Sequence, residues 1–271
     1  MEITYTQSSN KLPNKPKNGD HCAVFELEEE NLTLFLLADG VGGCVGDYKA
    51  STKSVNQFYK NFQNNLKEIN IQERITKAIN EVNESILLEV GYYKGMKSTF
   101  IACILDTTNE KLYYTSIGDS RMYSITNKEI SKLTEDQTKV VIRRKQDGTP
   151  LTQNGSVINA EGVTNVLGAK PLNFQIKKTQ IKETTSFLIA TDGFYSRLHK
   201  DGTDLIQIHK SLTIENTFKS LVSKVVKEQD DDATAIFFRI AVPNSSNQLK
   251  EQNALDRIRE VFAEIPRVRK D

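Results

Sequence analysis

The stretch STFIACILDTTNEKLYYTSIGDSRMYSI, residues 98–125, decides the fold. Three runs rich in β-branched and aromatic residues are separated by the polar turn TTNE and by Gly118-Asp119. TTNE, and TNKE (126–129) just beyond the stretch, are of hairpin length and join neighbouring antiparallel strands. Upstream, CAVFELEEENLTLFLLAD (22–39) reads as two strands around an acidic turn; downstream, NFQIKKTQI (173–181), TSFLIATD (185–192) and ATAIFFRIAV (233–242) read as further strands. Helical spacing predicts one helix over roughly 49–66 and a second carrying Ile71, Ile75, Ile79, Val82 and Ile86 on one face. A third helix places Ile214, Phe218, Leu221, Val222 and Val225 together. Strands in hairpins with helices grouped between them define an α+β fold and not a βαβ relay.

The chain has 271 residues, with 36 lysines and arginines against 35 aspartates and glutamates. That balance gives no overall attraction for nucleic acid or an anionic membrane. No apolar run approaches the ~18 residues of a membrane span, and the N-terminus lacks an apolar core of signal-peptide length. Cys22, Cys44 and Cys103 are dispersed and odd in number, which argues against a disulfide scaffold or structural zinc. The expectation is a cytoplasmic protein with one main domain over residues 1–242. Residues 243–271 read as a polar linker and an amphipathic helix with Leu255, Ile258, Phe262 and Ile265, packed on its own domain or docked on a partner. Residues 135–162 form a long polar segment, either a lid or a peripheral excursion, and contain Arg143, Arg144 and Lys145 as a solvated run or a phosphopeptide contact.

Acidic residues mark the strand ends. In TLFLLADGVGGCVGD (33–47) an apolar run stops at Asp39 before a glycine cluster. The cluster is no dinucleotide fingerprint, since the third glycine slot counted from Gly40 holds Val45, and no G-K-[ST] phosphate loop exists. Asp119, Asp192 and Asp231 likewise adjoin strands. One such aspartate is ordinarily a turn former. Four brought to one sheet edge would repel each other unless a cation neutralised them. An oxygen-only set favours Mg²⁺ or Mn²⁺. His21, His199 and His209 have no metal-ligand spacing, and the last two read as surface or lid-base residues. After Asp39, a residue without Cβ allows the Gly40 carbonyl to approach an ion, although a bare turn is also open.

LFLLADGVGG..GD..AS, STFIACILD, YYTSIGDSRMYSI, LTEDQT, VTNVLGA, FLIATDGF and DDATAIFF occur in order over roughly residues 8–240. This set resembles the metal-dependent type 2C serine/threonine protein phosphatases, bacterial branch. The resemblance implies a sandwich of two antiparallel β-sheets flanked by antiparallel helix pairs, with two metal ions and a third, more weakly held one. It assigns Asp39 as a bridge between two ions, the Gly40 carbonyl to one, Asp192 and Asp231 to the other, and Asp119 to the third. Asp20, in NGD, matches a carboxylate that orients metal-bound water. The implied reaction is in-line attack of a metal-bridging water or hydroxide on phosphoserine or phosphothreonine in protein substrates.

The chain departs from that pattern at several points. Lys15 stands where the family commonly carries a phosphate-clasping arginine, keeping the charge but losing the bidentate fork. An ordinary solvated lysine, with Lys17 or another cation acting instead, is the alternative. Gly19 replaces an acid, and Gln137 stands in a histidine slot. Val41 cannot act as a proton donor, which leaves a metal-bound water or His21; the plainer reading of His21 is a buried structural histidine. Two rival functions therefore stand beside the phosphatase: a pseudophosphatase or regulatory module binding a phosphorylated partner, and a hydrolase of small phosphoesters.

Overall fold

The computed structural model describes residues 1–42, 46–65, 70–89, 95–142, 149–153, 156–157 and 159–242. In chain order the strands are β1 (Glu2–Asn10), β2 (Asp20–Leu27), β3 (Leu32–Asp39), β4 (Phe100–Asp106), β5 (Lys111–Ile117), β6 (Arg121–Ile125) and β7 (Ile130–Lys132). They continue with β8 (Thr138–Ile142), β9 (Thr152–Gln153), β10 (Ser156–Val157), β11 (Asn159–Val163), β12 (Lys177–Gln180), β13 (Thr185–Ala190) and β14 (Ala233–Ala241). The helices are α1 (Asp47–Asn64), α2 (Ile71–Glu89), α3 (Asp192–Tyr195), α4 (Thr203–Lys210) and α5 (Ile214–Glu228).

Two five-stranded sheets, ordered β12-β5-β4-β3-β2 and β1-β14-β13-β6-β7, are antiparallel throughout. The stretch 98–125 supplies β4 and β5 to the first sheet and β6 to the second, so the chain changes sheets at Gly118-Asp119-Ser120. The period-2 alternation of strands explains the layering. On β3, Leu34 and Leu36 face α1 and α2 through Phe58, Phe62 and Ile79, while Phe35 and Leu37 face the other sheet. There Phe35 stacks on Phe238 with ring centroids 3.9 Å apart. On β14, Phe237 turns outward to Phe194 and Phe218 beneath α4 and α5. Central strands covered on both faces must be apolar at every position, which accounts for LFLLA and TAIFF. The helix–sheet–sheet–helix arrangement agrees with the architecture implied by the sequence.

α2 starts where Asn70 Oδ1 accepts the Glu73 amide at 3.0 Å, a side-chain cap that satisfies one free N–H of the first turn. Among the described residues, no helix is long and apolar enough to cross a membrane. Arg143, Arg144, Lys145 and the tail 243–271 lie outside the described residues. His209 departs from its surface reading: it is buried, and its Nδ1 lies 2.9 Å from Ser186 Oγ on β13. The amphipathic face of α4 turns the ring inward beside Leu205 and Ile208.

Candidate active site

The site forms at one end of the sandwich, where β3, the β5–β6 turn, the start of α3 and the start of β14 meet. Asp39 closes β3 and lies opposite Asp20 of β2 in the strand register. Its backbone is held by hydroxyls and amides from the neighbouring connection: the Asp39 amide donates to Thr99 Oγ1 at 3.0 Å, and its carbonyl accepts from Ser98 Oγ at 2.9 Å and from the Thr99 amide at 2.8 Å. Thr99 Oγ1 also lies 2.8 Å from Ser120 Oγ, which ties the Asp39 strand to the turn bearing Asp119. That turn requires Gly118, whose φ of +103° is in the left-handed region and whose ideal Cβ would fall 2.7 Å from Thr99 Cβ.

Gly40 packs against the start of α1 so closely that an ideal Cβ would meet the Asp47 carbonyl oxygen at 2.4 Å. Its amide donates to the Gly19 carbonyl at 3.0 Å. Asp192 opens α3, and its neighbour Gly193 leaves room for the Asp232 carbonyl, which an added Cβ would meet at 2.1 Å. Thr191 links three elements: its hydroxyl donates to Asp20 Oδ2 at 2.9 Å and accepts from the Thr234 amide at 3.0 Å, and its own amide donates to the Thr234 carbonyl.

The electrostatics show crowded acids. Burial, followed by the charges of Asp20, Asp192 and Asp119, pushes the Asp39 carboxyl well above the usual range. Burial and the Asp232 charge act in the same sense on Asp20. Burial and Asp192 push Asp119 up to about 6, and burial and Asp231 raise Asp192. Asp39 thus responds to Asp119 and Asp192, Asp119 to Asp192, and Asp192 to Asp231. As arranged, no three acidic, histidine or cysteine side chains close on one point among the described residues. Asp20 lies opposite Asp39 across the β2–β3 pair, while Lys15 Nζ donates to Asp231 Oδ1 and, at 3.1 Å, to Asp232 Oδ2. The donor chemistry fits a hard divalent cation: the carboxylates carry mutually unfavourable charge, and the glycine backbone brings a carbonyl beside them.

Lys15 is one-third exposed and sits on the acids, not in solvent. Burial alone lowers its pKa, but the hydrogen bonds to Asp231 and Asp232 outweigh that and raise it. Lys17 lies over the Tyr48 ring, 3.8 Å from its centroid. The Gly19 Cβ position is 3.2 Å from Asp232 Oδ2 and 3.7 Å from Asp47 Oδ2, so an acidic side chain there would start between two carboxylates. Gln137 holds the Asp119 turn: its Oε1 accepts from the Gly118 amide and from Asn165 Nδ2, each at 2.8 Å, and its amide donates to the Gly118 carbonyl. His21 is half-buried, and burial lowers its pKa. Beside α3, Arg121 forks onto Asp136 and lies over Tyr195 at 3.9 Å, forming a wall of a 640 Å³ cleft that also contains His199 and Lys200.

Sequence reasoning missed Thr191, the Ser98–Thr99–Ser120 hydroxyls and Asp232. Only Asp232 left a visible signal, as the third acid of the DDD run before β14.

Residues 10–233 match the family model described as protein phosphatase 2C. A serine/threonine phosphatase stp of Listeria welshimeri is 31% identical over 129 residues, 45% of this chain and 50% of the relative. The corresponding protein of Listeria monocytogenes serotype 4b is 32% identical over 130 residues with the same coverage. The chain thus spans about half the length of the curated relatives it matches. Among solved structures, the Mycobacterium tuberculosis serine/threonine phosphatase PstP/Ppp aligns with a TM-score of 0.68 at 18% identity, covering 89% of this chain and 99% of that one. The PstP catalytic domain in complex with two manganese ions aligns at 0.65 and 17% identity, with the same coverage. At these identities the structures show the shared fold.

Proposed function

The chain belongs to the protein phosphatase 2C family, and from that premise we propose that it is a metal-dependent phosphatase of phosphoserine and phosphothreonine in proteins. The observation that carries the reading is the gathering of acids at one end of the sandwich: Asp39 ends β3 opposite Asp20, Thr99 and Ser120 tie it to the Asp119 turn, Gly193 seats Asp192 against the residues before β14, and Lys15 reaches Asp231 and Asp232.

In this proposal Asp39, the Gly40 carbonyl, Asp192 and Asp231 hold two Mg²⁺ or Mn²⁺ ions, and Asp119 holds a third more weakly. Bound divalent ions of this kind supply Lewis acidity and a water of lowered pKa. The chain's own residues then set position and charge. Ser98 and Thr99 fix the Asp39 backbone, so its carboxylate meets its partners without reorganisation. Thr191 donates to Oδ2 of Asp20, which lies opposite Asp39, and so fixes the carboxylate that would orient metal-bound water. Lys15 carries the positive charge nearest the acids and is the candidate to contact a phosphoryl oxygen; it acts as a point charge where arginine would act as a fork. Val41 supplies no proton, and in this proposal the leaving alkoxide takes its proton from water. Cytoplasmic location belongs to the same proposal and is supported by the dispersed, odd-numbered cysteines Cys22, Cys44 and Cys103.

The test is hydrolysis of an aryl phosphate and a phosphothreonine peptide with added Mn²⁺, beside Asp39→Asn. Turnover that needs Mn²⁺ and disappears in Asp39→Asn supports the reading. Folded protein without metal-dependent turnover on either substrate overturns it in favour of a phosphoprotein-binding module. Turnover of the aryl phosphate alone would point instead to a small-phosphoester hydrolase.

A further inference from the structure

Asp232 has no role in the functional reading above, yet its carboxylate gathers three donors from the segment between β1 and β2. Oδ1 accepts the Leu12 amide at 2.7 Å, Oδ2 accepts the Gly19 amide at 2.7 Å, and Oδ2 also receives Lys15 Nζ at 3.1 Å. The side chain is 2% exposed, so water does not compete for these contacts. The two amides bracket the segment: Leu12 lies two residues after β1 ends, and Gly19 lies one residue before β2 begins. Between them, the Lys15 amide closes a turn onto the Leu12 carbonyl at 3.0 Å, and Lys11 Nζ reaches the carbonyls of Leu12, Pro13 and Lys15. At the other end, the Asp232 backbone is fixed by its contact with Gly193 and by β14.

We propose that Asp232 is a positioning residue that fastens the Leu12–Gly19 segment over the active site and holds the Lys15 ammonium at the height of the substrate phosphoryl group. The inference rests on Lys15 being the phosphate contact. Chemistry makes the carboxylate specific. Two ionised oxygens accept three N–H donors with lone pairs to spare, whereas an asparagine offers one oxygen and turns an NH₂ toward one of the donors. Because Lys15 bridges Asp231 and Asp232, an ion taking Asp231 leaves Lys15 tethered by Asp232 alone, with its other N–H bonds free for an anion. Gly19 suits the same arrangement, since any Cβ there would crowd Asp232 Oδ2 at 3.2 Å.

The experiment compares parent protein, Asp232→Asn, Lys15→Met and the double variant, all as the full chain with Mn²⁺. Loss of a charge-assisted contact predicts that KM for a phosphothreonine peptide and the inorganic phosphate dissociation constant each rise about tenfold or more in Asp232→Asn. We expect kcat and the Mn²⁺ half-saturation, read by thermal shift, to change less than about threefold, because Asp232 acts through the loop and not through the ions. Hydrogen exchange at the Leu12 and Gly19 amides should accelerate in Asp232→Asn and stay slow in Lys15→Met. The double variant should bind phosphate no more weakly than Lys15→Met alone.

A Mn²⁺ half-saturation that moves while phosphate affinity does not would overturn the proposal, as would unchanged exchange or fully additive losses. Should Asp232→Asn fail to fold, Lys15→Met still decides: tenfold weaker phosphate binding with both amides protected supports the proposal, and lost protection refutes it. Exchange and phosphate calorimetry need no turnover, so an inactive parent protein would count against the functional reading while these measurements judged the Asp232 proposal.

Discussion

Gly193→Ala should disable the site without touching a single side chain in it. The ideal Cβ at residue 193 falls 2.1 Å from the Asp232 carbonyl oxygen, 3.0 Å from the Asp232 carbonyl carbon and 3.3 Å from the Asp231 carbonyl carbon. Contacts under 3.0 Å are essentially never seen for real Cβ atoms, so α3 and the residues before β14 must separate by about 0.9 Å. The obstacle is backbone, so no side-chain rotation relieves it. Asp192 begins α3 and Asp231 precedes the obstructing residue, so the displacement falls on the two carboxylates assigned to one ion. A misplacement near 1 Å costs roughly 100-fold in rate. Overpacking adds roughly 1–3 kcal/mol of destabilisation. We expect kcat/KM to drop about 100-fold and the Mn²⁺ half-saturation to rise, in protein whose circular dichroism is unchanged. Turnover within about threefold of the parent protein would refute the argument that this backbone approach sets the geometry.

Three further outcomes follow from other parts of the structure. Gln137→Ala removes the acceptor of the Gly118 amide; it should cost about 1–3 kcal/mol in denaturant unfolding and lower activity most at limiting Mn²⁺, and an unchanged Mn²⁺ profile would count against control of the Asp119 turn. Phe35→Ala, fully buried against Phe238 between the sheets, should cost about 3–5 kcal/mol in guanidinium unfolding; a loss below about 1.5 kcal/mol would show that the inter-sheet core can collapse around the gap. Burial, then the charges of Arg239 and Lys210, lowers the His209 pKa from 6.5. The unfolded chain therefore binds this proton more readily, so His209 contributes a loss of stability as pH drops through about 6.5 and below, opposite in sign to the contribution of the raised Asp20, Asp39 and Asp119 carboxyls. His209→Gln should remove that contribution from the pH profile, and an identical slope in the variant would exclude His209 as its source.

Much of the fold was legible because its elements are local. The hairpin turn after β4, the continuous apolar runs of β3 and β14 and the three-and-four spacing of α2 and α5 each follow from neighbours in sequence. The edge strand in 173–181 was read too long, and only Lys177–Gln180 pairs, all four residues being exposed. Exposure of an edge strand removes the apolar alternation that would mark its limits. His209 was misplaced for a related reason: a polar residue on an amphipathic helix says nothing about its burial until its face is known, and Ser186 lies 23 residues away.

The sequence alone determined which residue types stand at the strand ends: aspartates without histidine or cysteine partners, and a glycine where backbone must come close. Covalent order and side-chain chemistry suffice for that, because turns and strand ends are encoded within a few residues. Tertiary structure decided how those ends are coupled. It placed Asp20 opposite Asp39, used Thr191 to join β2, α3 and β14, and folded the segment around Lys15 onto Asp232, more than 200 positions away. Hydrogen bonds across such separations depend on how two sheets pack, and no local pattern records that.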